Sequence, residues 1–194
     1  NEIIALGIKE TSGMTWEQYL NGSTIQIDFC LLKLSAQGDV IWQKTYGDDR
    51  LDVPSKLILK SNGNYVFVGT SEGTSYRKRM FETSPDGTEI RNLTNGHTSS
   101  FALGVAETQD GGLVTTGFAD ATDAKVLEIN KFTAAGTEEW NQEVYEMGEF
   151  LFGRAILQES DGGYRIAASQ AKYYGYGNPA HIAIYKTDPL GRYK

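Results

Sequence analysis

The 194-residue sequence predicts an all-β fold, a β-propeller built from four-stranded antiparallel blades. Two turn motifs recur along the chain at intervals of 48 to 55 residues, which is close to the length of one blade. The glycine of the first motif is Gly38, Gly87, Gly136 and Gly191, and that of the second is Gly63, Gly111 and Gly162. Short apolar runs bounded by Gly, Asn and Asp separate the motifs, as is typical of consecutive β-hairpins.

The strands of each unit follow from the positions of these motifs. We label them A to D from the central axis outward, so that the second motif joins strands A and B and the first joins strands C and D. The predicted A strands are 55–60, 101–108 and 153–159, and the predicted B strands are 3–8, 65–70, 113–118 and 164–169. The predicted C strands are 28–35, 77–83, 126–133 and 181–187, and the predicted D strands are 40–46, 89–93 and 137–145.

This layout divides one propeller domain into four blade units. Residues 48–96 and 97–147 form complete blades, whereas 1–47 and 148–194 form incomplete ones. Because an incomplete blade leaves unpaired strand edges and bare apolar faces, we expect the chain to be part of a longer propeller or to be completed by another chain. The remaining alternative is a closed ring of four blades, which would lack an A strand at one end and a D strand at the other. The Asn-Gly and Asp-Gly pairs suit the positive φ angles of two-residue hairpin turns, which we expect at the motifs.

Composition and charge exclude several classes of protein. The formal net charge of −7 argues against a protein that tracks the phosphates of nucleic acid. Cys30 is the single cysteine, so it forms no internal disulfide and matches no zinc-binding spacing. No apolar run approaches the roughly 20 residues of a membrane-spanning helix, and no signal-peptide pattern follows Asn1.

Two segments resemble a known propeller repeat. Residues 33–47 read K-L-S-x-x-G-x-x-x-W-x-K-T-Y-G and residues 160–164 read S-D-G-G-Y, which is similar to the repeat of many secreted and outer-membrane-anchored bacterial proteins. The resemblance implies a seven- or eight-bladed ring and a binding or scaffolding role. It also implies export to the cell surface or outer membrane, in some members as a lipoprotein. It implies no catalytic set that carries over to this chain, and any lipid anchor would lie outside this segment.

The second unit departs from the repeat at two positions. Glu82 stands where Lys33, Lys131 and Lys186 stand in the other units. Arg91 replaces the tryptophan found at Trp42 and Trp140. We expect both tryptophans to pack between blades, since strand aromatics mostly pack, and neither position serves a chemistry common to all units.

Aromatic side chains in the longest B–C connections are the candidate ligand-binding residues. These connections vary most between units, and insertions on one face of a repeat protein often form its binding face. The candidates are Trp16, Tyr19, Tyr173, Tyr174 and Tyr176. Their rings have a flat apolar face and a polar edge, which suits sugars and protein partners, although packing of the loops onto the propeller is the alternative.

Five aspartates are the weaker candidates for a metal site. Asp48, Asp49 and Asp52 lie in a D–A connection and Asp120 and Asp123 in a B–C connection, and in a propeller both connections emerge on one rim. Calcium takes about six to eight oxygen ligands, so that a shared site is conceivable, but the register from Asp48 does not match an EF-hand loop. We expect no cofactor, although the sequence is compatible with a bound calcium ion.

The sequence therefore predicts an exported, non-catalytic binding or scaffold propeller. Its B–C and D–A loops would engage a protein partner of the cell envelope or a polysaccharide, and no nucleic acid. No catalytic residue is identified. The alternative is a propeller-fold glycoside hydrolase or lyase that uses loop carboxylates, which would need two carboxyl groups about 5–10 Å apart.

Overall fold

The computed structural model describes residues 2–13, 25–48, 50–95, 99–121, 124–172 and 181–193. These residues form fourteen β-strands and no helix, so the predicted all-β class is confirmed for them. The strands are β1 Ile3–Glu10, β2 Ile27–Leu34, β3 Val40–Tyr46, β4 Leu51–Leu59, β5 Tyr65–Glu72, β6 Tyr76–Thr83, β7 Glu89–Asn95, β8 Ser100–Glu107, β9 Leu113–Ala121, β10 Ala124–Phe132, β11 Glu138–Val144, β12 Glu149–Gln158, β13 Tyr164–Lys172 and β14 His181–Lys186. Over the same ranges, no helix of the length and apolarity needed to cross a membrane occurs.

The strands form two mixed sheets of seven strands each. The first has the order β1-β2-β4-β5-β6-β7 with β3 paired to β2, and the second has the order β14-β13-β12-β10-β9-β8 with β11 paired to β10. Each sheet consists of two antiparallel meanders joined by a single parallel pair, Ile27 with Leu51 in the first and Lys125 with Phe150 in the second. We call the four meanders unit 1 (β1–β3), unit 2 (β4–β7), unit 3 (β8–β11) and unit 4 (β12–β14).

Each predicted strand is present in the structure, but β4 and β12 begin four residues earlier than the sequence predicts. Both strands contain an irregularity in their pairing, between Pro54 and Lys56 in β4 and between Gly153 and Ala155 in β12. A β-bulge interrupts the alternation of apolar and polar side chains. The apolar pattern therefore marks only the part of each strand that follows the bulge.

The seven turn glycines have positive φ angles between 74° and 94°, but the predicted two-residue turns are wrong. In the first turn the amide of Gly38 donates to the carbonyl of Ser35, and the amide of Ser35 donates to the carbonyl of Asp39. The same two bonds recur in the other six turns, so each loop has three residues and ends in its glycine. This is a type I turn followed by a left-handed residue, which glycine adopts without a Cβ clash.

The apolar core lies between the units, because alternate side chains of each unit face the next one. Phe29 and Leu31 of β2 pack against Phe67 and Phe81 of unit 2. The next two contacts between units bury Val68 and Met80 with Ala102 and Phe132, and then Leu127 and Ile129 with Leu151 and Ile166. Full burial of one such side chain contributes about 1.5–3 kcal/mol, so the contacts between units supply much of the folding free energy.

The strands β3, β7 and β11, which we call the outer strands, each place one large side chain on the following unit. The rings of Trp42 and Tyr65 lie 6.5 Å apart, and those of Trp140 and Tyr164 lie 5.6 Å apart in an edge-to-face arrangement. Arg91 of β7 donates a hydrogen bond of 2.8 Å to the carbonyl of Ala134 in unit 3. The two tryptophans therefore pack between units, as the sequence predicts.

Apolar side chains are exposed on both terminal faces of the array. Ile182 and Ile184 of β14 are 87% and 61% exposed, on the face of unit 4 that points away from unit 3. Ile3 of β1 is 50% exposed on the face of unit 1 that points away from unit 2. The equivalent side chains of unit 3 are buried, because a described unit lies on each side of it. Leu127 and Ile129 stand at the positions of Ile182 and Ile184, and Leu113 stands at the position of Ile3.

Candidate functional site

The loop connections that the sequence predicts to bind ligands all meet one edge of the array. Each even-numbered strand begins at this edge, which we call the loop rim, and the seven glycine turns lie at the opposite edge. Strands β1 and β13 end at the loop rim, and β2 and β14 begin there. The connections 11–26 and 173–180 therefore leave from and return to the loop rim.

The predicted ligand-binding aromatics lie outside the described residues. Trp16, Tyr19, Tyr173, Tyr174 and Tyr176 fall in these two connections. Two of the five candidate metal-binding aspartates, Asp49 and Asp123, also lie outside the described residues. The remaining three, Asp48, Asp52 and Asp120, lie at the loop rim.

Asp48 and Asp52 share the guanidinium group of Arg79. Nη1 of Arg79 lies 2.9 Å from Oδ2 of Asp48 and 3.3 Å from Oδ2 of Asp52. Asp52 is fully buried, and burial raises its pKa against the lowering effect of Arg79. The Asp52 carboxyl has no exposed surface through which a substrate could reach it, and its ion pair with Arg79 lies within unit 2.

Gly47 packs against this charged cluster. A Cβ atom at Gly47 would lie 2.6 Å from Oδ2 of Asp52, and it would also meet the carboxylate of Asp28. Any larger residue here would force these carboxylates to move. This gives the glycine that closes the K-T-Y-G motif a structural reason.

The described aspartates do not form a metal centre. Asp120 makes an ion pair with Lys125 of the same hairpin, while Asp48 and Asp52 contact Arg79. No group of three or more His, Cys, Asp or Glu side chains within the described ranges is placed to hold a metal ion. Cation partners at each carboxylate fit internal ion pairs better than calcium ligation.

The structure assembles a row of aromatic rings at the loop rim that the sequence pattern does not predict. The row crosses units 2, 3 and 4, and its members are Tyr76, Phe101, Phe118, Phe152 and Phe150. Successive ring centroids lie 4.8, 4.3, 4.8 and 6.5 Å apart along the row. Tyr76 is 38% exposed and the four phenylalanines are partly exposed, so this aromatic row forms a continuous apolar strip on the surface.

Two cations flank the aromatic row. Nζ of Lys125 lies 5.4 Å from the ring centre of Phe118, and the guanidinium carbon of Arg154 lies 5.4 Å from that of Phe152. The rings of Phe101 and Phe118 stack with an interplanar angle of 8°. Because Phe118 has Phe101 stacked on it and Lys125 over it, and Phe152 has Arg154 over it, these rings offer a ligand mainly their edges and the guanidinium group of Arg154.

A cleft of about 200 Å³ opens beside the first ring of the row. It lies between the starts of β4 and β8, with Leu51 and Val53 on one side and Phe101 and Leu103 on the other. Tyr76 closes one end, and its hydroxyl donates a hydrogen bond of 3.1 Å to Glu72. The cleft and the aromatic row together form one apolar surface with a polar border.

The repeat register offered a signal for this surface. Phe101 and Phe152 are 51 residues apart and occupy the same position at the start of the first strand of units 3 and 4. Val53 occupies that position in unit 2. The strands predicted from the sequence, 101–108 and 153–159, begin at or just after the aromatic residue, so that Phe101 and Phe152 fall at the predicted borders of loops.

Comparisons with known proteins find a similar fold but indicate no activity. No protein family model matches the chain, and no curated protein matches it. A crystal structure of a protein of unknown function from Dyadobacter fermentans is similar, with a TM-score of 0.69 and 12% sequence identity over 96% of this chain. This chain spans 50% of the length of that protein. At this identity the likeness shows the fold alone.

Proposed function

We propose that the four units are blades of a β-propeller and that the chain is a non-catalytic binding module of an exported bacterial surface protein. The repeat of about 49 residues, the four-stranded meanders of units 2 and 3 and the face-to-face packing of successive units support the propeller. The exposed apolar faces of units 1 and 4 favour a ring with further blades. The resemblance of the repeat supports the location at the cell surface.

The observation that carries the binding role is the aromatic row. Five rings and an adjacent cleft lie along three units at the rim that also carries the variable loops. An apolar strip with a polar border is typical of protein interaction sites, and buried aromatic anchors supply most of the binding energy there. Scaffold-held loops next to the strip would add specificity.

The geometry favours a protein partner over a glycan. Sugar rings stack on open aromatic faces, whereas Phe118 has Phe101 stacked upon it and Lys125 next to it. The exposed guanidinium of Arg154 instead suits a partner segment that combines apolar and acidic side chains, whereas the charge of Lys125 is already paired with Asp120. A glycan site remains a prediction for Trp16, Tyr19, Tyr173, Tyr174 and Tyr176, which lie outside the described residues.

The alternative of a glycoside hydrolase or lyase draws no support from Asp48 and Asp52, the described carboxylates of the predicted D–A connection. Asp52 is fully buried, and both Asp48 and Asp52 are held by Arg79. A pair of catalytic carboxyls must reach both sides of a glycosidic bond.

The binding role is tested with immobilised peptides that alternate Phe or Leu with Glu, together with basic peptides of equal hydropathy and a panel of polysaccharides. We expect the acidic peptides alone to be retained, and Tyr76→Ala and Arg154→Glu to weaken their binding by about tenfold or more. Leu190→Ala, which removes an exposed apolar side chain at the opposite edge, is the matched control. Equal retention of acidic and basic peptides, or retention of polysaccharide instead, would reject a protein partner of this chemistry.

A further inference from the structure

Each contact between consecutive units contains the same socket. The outer-strand side chain of one unit meets the turn glycine of the next, and the pairs are Trp42 with Gly87, Arg91 with Gly136 and Trp140 with Gly191. A Cβ atom at these glycines would lie 3.0 Å from Cη2 of Trp42, 2.6 Å from Nη1 of Arg91 and 2.6 Å from Cη2 of Trp140. The glycine therefore provides the space that the incoming side chain fills.

The residues around the glycine differ with the side chain that the socket receives. Tryptophan enters where the following unit carries a tyrosine at the start of its second strand and a proline in its turn. These sets are Tyr65, Pro85 and Gly87 in unit 2, and Tyr164, Pro189 and Gly191 in unit 4. The socket of unit 3 has Leu113, Ala134 and Gly136 instead, and it receives Arg91.

The chemistry of the two socket types explains this difference. Tryptophan packs its ring against the tyrosine ring, which adds an aromatic contact to the area buried. Arg91 instead donates to the carbonyl of Ala134, while its Nε lies 3.1 Å from Oε2 of Glu82 in its own unit. An arginine in the socket thus has an aliphatic residue in the following unit in place of tyrosine, and an acidic residue on the neighbouring strand of its own unit.

Unit 1 carries a socket of the arginine type at which no side chain of the described residues sits. Its residues are Ile3, Ala36 and Gly38, at the positions of Leu113, Ala134 and Gly136. Among the described residues, no atom lies within 4 Å of a Cβ position at Gly38. Ile3 is half exposed, and Ala5 beside it is exposed.

We propose that this face of unit 1 is the docking surface for one further repeat unit whose outer strand carries arginine four residues after its turn glycine, with an acidic residue on the neighbouring strand. The three contacts within the chain define the geometry of the surface, and the contact of units 2 and 3 defines the chemistry of its occupant. The proposal rests on the propeller arrangement proposed above but not on the proposed protein ligand.

Cys30 reports whether the surface is covered. It lies on β2 between Phe29 and Leu31, which face unit 2, and therefore points to the opposite face. It is a free thiol that is partly exposed, and it is the single cysteine of the sequence. A unit docked on this face would shield the thiol from a maleimide or disulfide reagent.

The experiment extends the full chain by a copy of unit 2 followed by strand β8, which supplies a first strand to pair with β1. A copy of residues 51–111 is joined to Glu2. Because Glu2 occupies the repeat position of Gly112, strand β1 then follows the copied turn just as β9 follows it in unit 3. The copy carries Lys78→Leu, because the cation would otherwise face Cys30 without an acidic partner. A second extension also carries Arg91→Trp within the copy.

We expect the arginine extension to slow the labelling of Cys30 by about tenfold or more. This is the protection expected when the population of the docked state is about ten times that of the open state, because only the open state exposes the thiol. The tryptophan extension should protect Cys30 less. Circular dichroism shows whether the added strands are folded, and an unfolded copy counts against the proposal, because the surface would order a matching unit. Equal labelling with and without the arginine extension, or better protection by the tryptophan extension, would overturn it.

A second copy of the chain as occupant gives a different result. In that case Cys30 of the unextended chain becomes protected as the protein concentration rises, which would reject an arginine-bearing unit as the partner. Because no ligand is present in these measurements, loss of docking is read separately from loss of the proposed peptide binding.

Discussion

The ammonium nitrogen of Lys78 lies 3.0 Å from Oε2 of Glu128, and this buried ion pair links the first sheet to the second. Ser100 and Asn141 donate hydrogen bonds of 2.9 and 2.6 Å to the same carboxylate. Lys78 also donates to Oδ1 of Asn130 at 2.5 Å. A buried pair of this kind costs desolvation but becomes costly to break, because removal of one partner leaves a buried charge uncompensated.

We predict that Lys78→Met destabilises the protein by about 3–5 kcal/mol, as measured by urea unfolding. Adding Glu128→Gln should recover part of this loss, because the amide keeps an acceptor for Asn141 and carries no charge. Lys186→Met, at a half-exposed lysine that pairs with Glu159, is the control and should cost less than about 1 kcal/mol. Equal effects of Lys78→Met and Lys186→Met would show that the pair between the sheets is not buried in solution.

The acid side of the stability profile should depend on Glu128. Burial alone would raise the pKa of Glu128, but the Lys78 ammonium and the hydrogen bonds of Ser100 and Asn141 lower it overall. The folded protein therefore binds this proton less readily than the unfolded chain, so the stabilisation is present above pH 4.5 and is lost as the pH falls. We predict a flatter slope below pH 4.5 for Glu128→Gln than for the unaltered protein in urea titrations. An unchanged slope would contradict the lowered pKa.

The charge pattern shows how far the sequence alone predicts this protein. The strands follow from turn glycines and apolar runs, since both act locally. In the sequence, Glu82 stands at a position that is lysine in the other units and has no evident partner. In the structure, its Oε1 lies 3.3 Å from Nζ of Lys60. Lys60 in turn occupies the position of Glu159, which pairs with Lys186 at 2.9 Å, so the two charges are exchanged between units. The sequence holds both substitutions, but only the structure shows that they face each other.

The aromatic row was harder to predict for a related reason. Its rings come from different strands of three units, and nothing in the sequence around Tyr76 or Phe118 indicates that they share a surface. Their proximity depends on the angle and offset between successive units, which are set by side-chain packing over long sequence separations. Periodicity predicts which residues face a neighbour, but not which of them meet at the rim.

The alkaline side of the profile should depend on Tyr46. Its hydroxyl donates a hydrogen bond of 2.6 Å to the carbonyl of Gly87, which ties unit 1 to the turn of unit 2. Burial, with the nearby charges of Glu89 and Asp86, raises the pKa of Tyr46 from 10 to about 12. The unfolded chain then loses this proton first, so the stabilisation is present below pH 10 and is lost as the pH rises to about 12.

We predict that Tyr46→Phe flattens the decline in unfolding free energy between pH 10 and 12, by up to about 2–3 kcal/mol over the window. The slope should not vanish, because burial and the hydrogen bond to Glu146 raise the pKa of Tyr185 in the same direction. Tyr145→Phe, at an exposed ring, controls for the loss of one tyrosine. A decline as steep in Tyr46→Phe as in the unaltered protein would assign the alkaline transition to other groups.

Three glycines at one repeat position provide a matched set for the last prediction. Gly7, Gly69 and Gly117 each occupy the fifth residue of the second strand of a unit, or of β1 in unit 1. A Cβ atom at Gly69 would collide with the carbonyl oxygen of Val53, and one at Gly117 with that of Phe101. At Gly7 no atom of the described residues lies within 4 Å of the Cβ position.

We predict that Gly69→Ala and Gly117→Ala each destabilise the protein by about 1–3 kcal/mol, because the obstructing atoms belong to the backbone of a bulged strand and must move with it. Gly7→Ala should be neutral or stabilise by about 0.4–1 kcal/mol, since it restricts the unfolded chain and meets no obstacle. Thermal and urea unfolding of the three variants provide the measurement. If a first strand paired with β1, as β4 pairs with β5 and β8 with β9, Gly7→Ala would become as costly as the other two changes. The difference between Gly7 and its two equivalents therefore measures directly whether a first strand covers β1 in solution.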